Sequence, residues 1–300
     1  MSAPGPAVVP RRPPTIVFLS GKGGTGKTSV TAAFAVLGGH QVLADADVEA
    51  ANLHILLSPR LEEEGEFEGS KVAIKDDALC TLCGECRQAC RFDAIDDEFD
   101  IDPWLCEGCG ACVHACPVDA IRMEPRVTGR WMTGTSERGP FAGAELLPGE
   151  ENSGKLVTLV RRKAREIADR VATPWVLVDG PPGIGCPVIA SVTGVDGAVL
   201  VTEPTVSGLH DVERALGVVR HFGAPAALVI NRWDLSPRTA DRIEAWAAGE
   251  GLPVLGRVPW DPAVPRAMVA GRSVVETEPD SPASRALRDA YERFRQLVLG

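Results

Sequence analysis

Hydrophobic and polar positions alternate in blocks along this chain. The run Thr15-Ile-Val-Phe-Leu19 is continuously apolar and β-branched, and it stops at a glycine-rich turn. From Lys27 the sequence Thr-Ser-Val-Thr-Ala-Ala-Phe-Ala-Val-Leu predicts a helix that ends at Gly38-Gly39, and Gln41-Val-Leu-Ala-Asp45 predicts a second strand. Strand, helix and strand within about thirty residues form a βαβ unit, so a parallel sheet with helices on its faces is expected. Continuous apolar runs return at Trp175–Val178, Gly197–Val201 and Ala226–Ile230, as strands buried on both faces require. Helical patterns over Ser207–Phe222, Thr239–Glu250 and Ser284–Leu299 lie among and after them.

Between these blocks the pattern breaks. Residues 76–125 are acidic and cysteine-rich, and residues 126–149 are rich in Gly and Thr. The expected organisation is a disordered tail over residues 1–14 and an α/β domain over 15–75 and 126–300. A small α+β domain, 76–125, is inserted into it.

At 300 residues the chain has room for two domains of about 150 residues and a sizeable core. Its net charge of −10 argues against a nucleic-acid partner, which calls for a basic face. From Asp76 to Glu124 there are 12 acidic and 3 basic residues, so most of the imbalance sits in the insert. No apolar run reaches the roughly 18–20 residues that span a bilayer, so no stable membrane insertion is expected. Met1–Pro14 lacks the apolar core of a signal peptide. A cytoplasmic, reducing location follows as the expectation, and it turns the clustered cysteines from disulfide candidates into metal ligands.

Gly21-Lys-Gly-Gly-Thr-Gly26-Lys27-Thr28 satisfies G-x-x-x-x-G-K-[ST] between a predicted strand and a predicted helix. Such a loop curls its backbone N–H groups around phosphates, and the helix N-terminus adds its dipole. Gly21, Lys22, Gly23, Gly24, Thr25, Gly26, Lys27, Thr28 and Ser29 are the candidate nucleotide-binding residues. Lys27 is expected on the β/γ-phosphates and Thr28 on Mg²⁺.

Cys80-x₂-Cys83-x₂-Cys86-x₃-Cys90 and Cys106-x₂-Cys109-x₂-Cys112-x₃-Cys116-Pro117 are two copies of the bacterial ferredoxin run. The fourth Cys of each run crosses to the other cluster. Cys80, Cys83, Cys86 and Cys116 are therefore assigned to one [4Fe–4S] cluster, and Cys90, Cys106, Cys109 and Cys112 to a second. Structural zinc uses two separated pairs and fits four-Cys runs less well. Arg91 follows Cys90 where the standard run has Pro. The lone Cys186 reads as a small buried residue.

Together these residues resemble P-loop ATPases of the MinD/ParA/nitrogenase iron protein superfamily that carry an inserted 2[4Fe–4S] ferredoxin domain. The resemblance rests on Lys22-Gly-Gly-Thr-Gly-Lys-Thr28, Asp45-Ala-Asp47, Asp179-Gly-Pro-Pro-Gly183, Glu203-Pro-Thr-Val-Ser-Gly-Leu-His-Asp211 and Val258-Pro-Trp-Asp-Pro-Ala-Val264. It departs at Ala50-Ala51-Asn52, where relatives usually have Pro before the Asn. The resemblance implies a nucleotide-dependent homodimer in which Lys22 acts on the partner's nucleotide. It also implies that Asp47 orients the attacking water, that Asp45 and Asp179 join Thr28 near Mg²⁺, that the Gly183 amide meets the γ-phosphate, and that Asn231 recognises adenine. Lys22, Lys27 and Asp47 are then the catalytic candidates.

The function expected from these readings is ATP hydrolysis coupled to electron transfer through two [4Fe–4S] clusters to a redox or iron–sulfur partner protein. The alternatives are a cluster assembly or carrier ATPase of the Mrp type and a MinD-like positioning ATPase. The last needs a membrane-binding tail, whereas the amphipathic C-terminal segment, with mixed charges on its polar face, reads as a core-packed helix.

Overall fold

The structure, a computed structural model, describes residues 12–151 and 154–299; of the tail expected over residues 1–14, residues 1–11 lie outside the described residues. By internal contacts the chain divides into two compact units. The first comprises Met1–Glu64, Trp131–Glu145 and Asn152–Gly300, and the second Gly65–Arg130 and Leu146–Glu151.

The strands are β1 (Thr15–Ser20), β2 (Val42–Asp45), β3 (Arg60–Lys75), β4 (Ile121–Ser136), β5 (Gly139–Leu146), β6 (Val176–Pro182), β7 (Gly197–Thr202), β8 (Ala226–Asn231) and β9 (Val254–Val258). The helices are α1 (Lys27–Gly38), α2 (Leu53–Leu57), α3 (Glu85–Ala89), α4 (Ala111–Ala115), α5 (Lys155–Ala168), α6 (Cys186–Val192), α7 (Val206–His221), α8 (Pro237–Gly249), α9 (Ala263–Val269), α10 (Val274–Thr277) and α11 (Pro282–Leu299).

The sheet order is β3-β4-β5-β2-β6-β1-β7-β8-β9. The pairs β1–β6, β1–β7, β2–β5, β2–β6, β7–β8 and β8–β9 are all parallel. Strands β1, β2, β6 and β7 are buried along almost their whole length, as the continuous apolar runs predicted. Alternate residues face opposite ways. Phe18, Leu177 and Val199 enter one core with Phe34 of α1 and Leu287, Tyr291 and Phe294 of α11. Phe34 meets Tyr291 and Phe294 with ring centroids 5.4 Å apart in each case. The apolar face of α11 is thereby buried, as expected for a core-packed terminal helix.

Strands β3, β4 and β5 do not appear in the sequence pattern. Arg60–Lys75 is exposed or half-buried at all but Val72 and Ala73, so no apolar period marks it as a strand. These long strands also carry residues into the second unit before residue 76 and after residue 125, which makes that unit wider than the expected insert.

The second unit repeats one local backbone twice. Helices α3 and α4 each follow a left-handed glycine, Gly84 at φ 80° and Gly110 at φ 74°. Each ends at an extended cysteine, Cys90 or Cys116. Left-handed residues recur in register outside the helices, with Leu82 matched by Gly108 and Asp93 by Asp119. The small core of this unit gathers Ala73, Cys86, Ile95, Cys112 and Ile121, with Phe99 and Ile101 packed against it.

Candidate functional site

The C-terminal ends of the parallel strands, where α/β sheets bind ligands, bring the predicted residues of the first unit together. Asp45, the last residue of β2, is the cross-strand neighbour of Asp179 in the middle of β6. Lys27 opens α1, and its Nζ lies 2.9 Å from Asp179 Oδ1 and 3.2 Å from Asp47 Oδ2. The Thr28 hydroxyl donates to Asp179 Oδ2 at 2.7 Å. Thr31, one turn further along the same helix face, donates to Asp179 Oδ1 at 2.8 Å. Asp45 accepts the Leu53 N–H at 2.9 Å and the Asp47 N–H at 3.3 Å.

Three carboxylates thus surround one ammonium in a buried place. Burial works against the Lys27 charge, but Asp179 and Asp47 outweigh it and hold the ammonium above its ordinary pKa. Burial, reinforced by the Asp179 charge, pushes the Asp45 carboxyl well above the usual carboxylate range. Burial also raises Asp47, against the pull of Lys27. Asp47 Oδ1 and Thr25 Oγ1 are buried without a hydrogen-bond partner. Surplus negative charge and unpaired oxygens suit a hard divalent cation, which takes oxygen ligands.

The glycine loop is held from below. Gly26 has φ 87°, and a Cβ there would collide with the Asn231 amide. Asn231 Nδ2 donates to the Thr25 carbonyl at 2.8 Å, and its Oδ1 accepts the Arg232 N–H at 3.0 Å. In this structure Asn231 therefore fastens the loop. It also lines a cavity of about 290 Å³ with Gly26, Ser29, Arg232, Trp260 and Met268. Gly23 and Gly24 are exposed at the loop tip, and a Cβ at Gly21 would collide with Asp211 at the other end of the loop.

Two residues, Gly183 and Cys186, sit differently from expectation. The Gly183 N–H donates to the Ser20 carbonyl at 2.8 Å, so strand pairing has claimed the amide expected on a γ-phosphate. Lys22 is not free in solvent; its Nζ lies 2.7 Å from Glu203 Oε1. Cys186 is exposed rather than buried, because it opens α6 ahead of the buried face formed by Val188, Ser191 and Val192. No role was expected for Thr31, Glu203 or Arg232. Glu203 directly follows the apolar strand β7 and begins the run to Asp211, and that position was the available signal.

In the second unit, Cys80, Cys83, Cys86 and Cys116 line one small cavity. Cys90, Cys106, Cys109 and Cys112 line another. All eight are free thiols. The other walls are largely apolar, with Phe99 and Ile121 beside the first set and Ile95 and Ile101 beside the second. Burial raises the pKa of the Cys86 and Cys112 thiols. Among the described residues, no three Cys, His, Asp or Glu side chains form a site for a single metal ion.

A parallel sheet whose strand ends surround a glycine loop, a buried lysine and a cluster of carboxylates defines a P-loop nucleotide-binding protein. The chain belongs to the CobQ/CobB/MinD/ParA nucleotide binding domain family, whose model matches residues 16–274. An uncharacterized protein of Methanocaldococcus jannaschii is 31% identical over 287 residues, covering 94% of this chain and 97% of that protein. An uncharacterized ATP-binding protein of the same organism is 25% identical over 281 residues, covering 91% of this chain and 84% of that one. Among solved structures, the septum site-determining protein MinD of Pyrococcus horikoshii, complexed with Mg-ADP, shares the fold. Its TM-score is 0.57 at 20% identity, with 95% of this chain and 97% of that chain covered.

Proposed function

We propose that this protein is an ATPase whose nucleotide cycle is coupled to two [4Fe–4S] clusters held by its second unit. The observation that carries the cluster half is the pair of cavities, each lined by four thiols, with Cys90 and Cys116 each completing the other run's set. That exchange is what two ferredoxin runs require, and the apolar walls fit a buried cluster better than a hydrated ion. Bound clusters would supply one-electron transfer.

The ATPase half rests on Lys27, Thr28, Asp45, Asp47 and Asp179, together with the family. On ATP binding Lys27 exchanges its two carboxylates for β- and γ-phosphate oxygens. Thr28, Asp45 and Asp179 would hold Mg²⁺ directly or through its waters, and Asp47 orients the attacking water. Bound Mg²⁺ would neutralise charge on the phosphates. The base enters the 290 Å³ cavity beside Trp260. Lys22 reaches the nucleotide of a second copy, so hydrolysis requires a dimer.

The test is anaerobic purification followed by iron analysis, ATPase assay and redox titration without nucleotide, with ADP and with a non-hydrolysable ATP analogue. About eight irons per chain and a nucleotide-dependent midpoint potential are expected. Stoichiometric zinc without iron overturns the cluster half. Identical potentials in all three states overturn the coupling. Iron lost rapidly to a chelator and transferred to an acceptor apoprotein would instead support the carrier reading.

A second reading, a positioning ATPase, is favoured by the fold shared with MinD. It requires a surface that docks on a membrane or a polymer. In α11, Leu287, Tyr291 and Phe294 are at most 5% exposed. Burying such side chains is worth roughly 1.5–3 kcal/mol each, so this helix does not leave its core cheaply. Among the described residues no helix is long and apolar enough to cross a membrane. ATP-dependent sedimentation with anionic liposomes would establish this second reading.

A further inference from the structure

Lys22 and Glu203 lie on different loops of the first unit, and their charges meet. Lys22 Nζ is 2.7 Å from Glu203 Oε1 and donates to Ser207 Oγ at 3.3 Å. On the other side of the carboxylate, Arg232 Nη1 is 3.5 Å from Glu203 Oε2. One carboxylate therefore joins the second lysine of the glycine loop to an arginine that lines the 290 Å³ cavity.

The turn carrying Glu203 is firmly built. The Glu203 carbonyl accepts the Thr205 N–H at 2.8 Å. Thr205 Oγ1 caps α7 by accepting the Gly208 N–H at 2.9 Å, and the Thr202 hydroxyl donates to the Gly208 carbonyl at 2.9 Å. The Glu203 side chain is only 16% exposed, against 34% for Lys22 and 38% for Arg232. The carboxylate is the more buried member, and the two cations are the more exposed ones.

We infer that Glu203 is a positioning residue that keeps Lys22 on its own protomer until a second copy docks. Arg232 then takes over the carboxylate that Lys22 leaves. The inference rests on the reading of Lys22 as acting on the partner's nucleotide. Leaving a mostly buried carboxylate unpaired is unfavourable. Arg232 removes that obstacle because it already stands beside the other oxygen. Ion pairs this exposed are weak, so the latch tunes dimer affinity rather than forbidding docking.

Glu203→Gln keeps the side chain's shape and removes its charge. Each dimer opens two latches, each worth a few-fold in equilibrium constant. The dissociation constant of the dimer, measured at saturating non-hydrolysable ATP analogue and low salt, should fall about tenfold. Ser207→Ala should shift it the same way by less, and it serves as the readout if Glu203→Gln does not fold. Arg232→Gln should shift it the opposite way, and in a Glu203→Gln background should have no effect, which a merely structural role would not produce. Because Arg232 lines the cavity, nucleotide affinity is measured for each variant and the dimer constants are compared at saturation.

Dimerisation of Glu203→Gln equal to or weaker than wild type overturns the latch. So does an Arg232→Gln effect that persists without the Glu203 charge. Lys22→Ala separates this failure from failure of the underlying reading. If it dimerises and hydrolyses ATP like the wild type, the reading of Lys22 falls. If it is defective while Glu203→Gln is unchanged, only the latch falls.

Discussion

Lys27 Nζ lies 2.9 Å from Asp179 Oδ1, and Asp179 is 0% exposed. The lysine that opens α1 is therefore held in an internal ion pair. In the proposed cycle phosphate replaces that contact, and a divalent cation would take up the carboxylates it releases.

Removing Lys27 should act on stability and on binding at once. Loss of one partner from a buried pair costs about 3–5 kcal/mol, because the other charge stays desolvated. Lys27→Ala is expected to lower the urea midpoint and to abolish measurable nucleotide binding. Adding Asp179→Asn should restore much of the stability and none of the binding. Wild-type stability of Lys27→Ala would show that Thr28 and Thr31 satisfy Asp179 unaided.

Asn231 can serve the loop or the base, and the two roles predict different losses. Its amide is hydrogen-bonded to the Thr25 carbonyl, so Asn231→Ala should lower affinity for ATP and GTP alike. It should also cost about 1 kcal/mol of stability. Loss of ATP affinity alone, with GTP binding intact, would identify Asn231 as a reader of the base.

The crossed cysteine sets make a paired prediction. Cys80→Ser and Cys116→Ser should damage the same cluster although they lie in different runs, and Cys90→Ser and Cys106→Ser the other. Each single variant should keep about four irons. Two variants from one set combined should still keep about four, and one from each set should leave almost none. Electron paramagnetic resonance of the reduced variants reads the surviving cluster directly. Loss patterns that follow the runs instead of the cavities would refute the assignment.

Asp261 joins the starts of two helices and should register in acid. It accepts the Ala263 N–H at 2.9 Å and the Ala283 N–H at 3.1 Å. Burial works to raise its pKa, but these N–H groups outweigh it and hold the carboxyl below its ordinary value. The folded pKa lies below the unfolded one, about 3.9. The stabilisation is complete above that value and disappears as pH falls through the folded pKa. Asp261→Asn should be less stable than wild type by about 1–2 kcal/mol near neutral pH. The gap in urea midpoint should shrink below about pH 4. A gap unchanged down to pH 3 would mean that the ionised carboxylate contributes nothing.

Local chemistry was legible in the sequence because it is set by short spacings. The loop from Gly21 to Thr28, the apolar runs of β1, β2, β6, β7 and β8, and the two cysteine runs each depend on residues a few positions apart. There, backbone conformation and residue type are enough. Even the exchange of Cys90 and Cys116 follows from a rule of spacing.

What joins distant segments was decided only in three dimensions. Asp179 reaches Lys27 because β6 lies beside β1, and Asn231 reaches Thr25 because β8 ends near the same loop. Nothing in the sequence near Lys22 announces Glu203 as its partner. Long-range charge pairs leave no periodic trace, since a single polar residue at a strand end looks the same whether it is paired or solvated. Strand β3 was hidden for a related reason. A strand such as Arg60–Lys75, exposed along most of its length, buries too few apolar residues to write an alternation into the chain, so backbone pairing across the sheet makes it a strand.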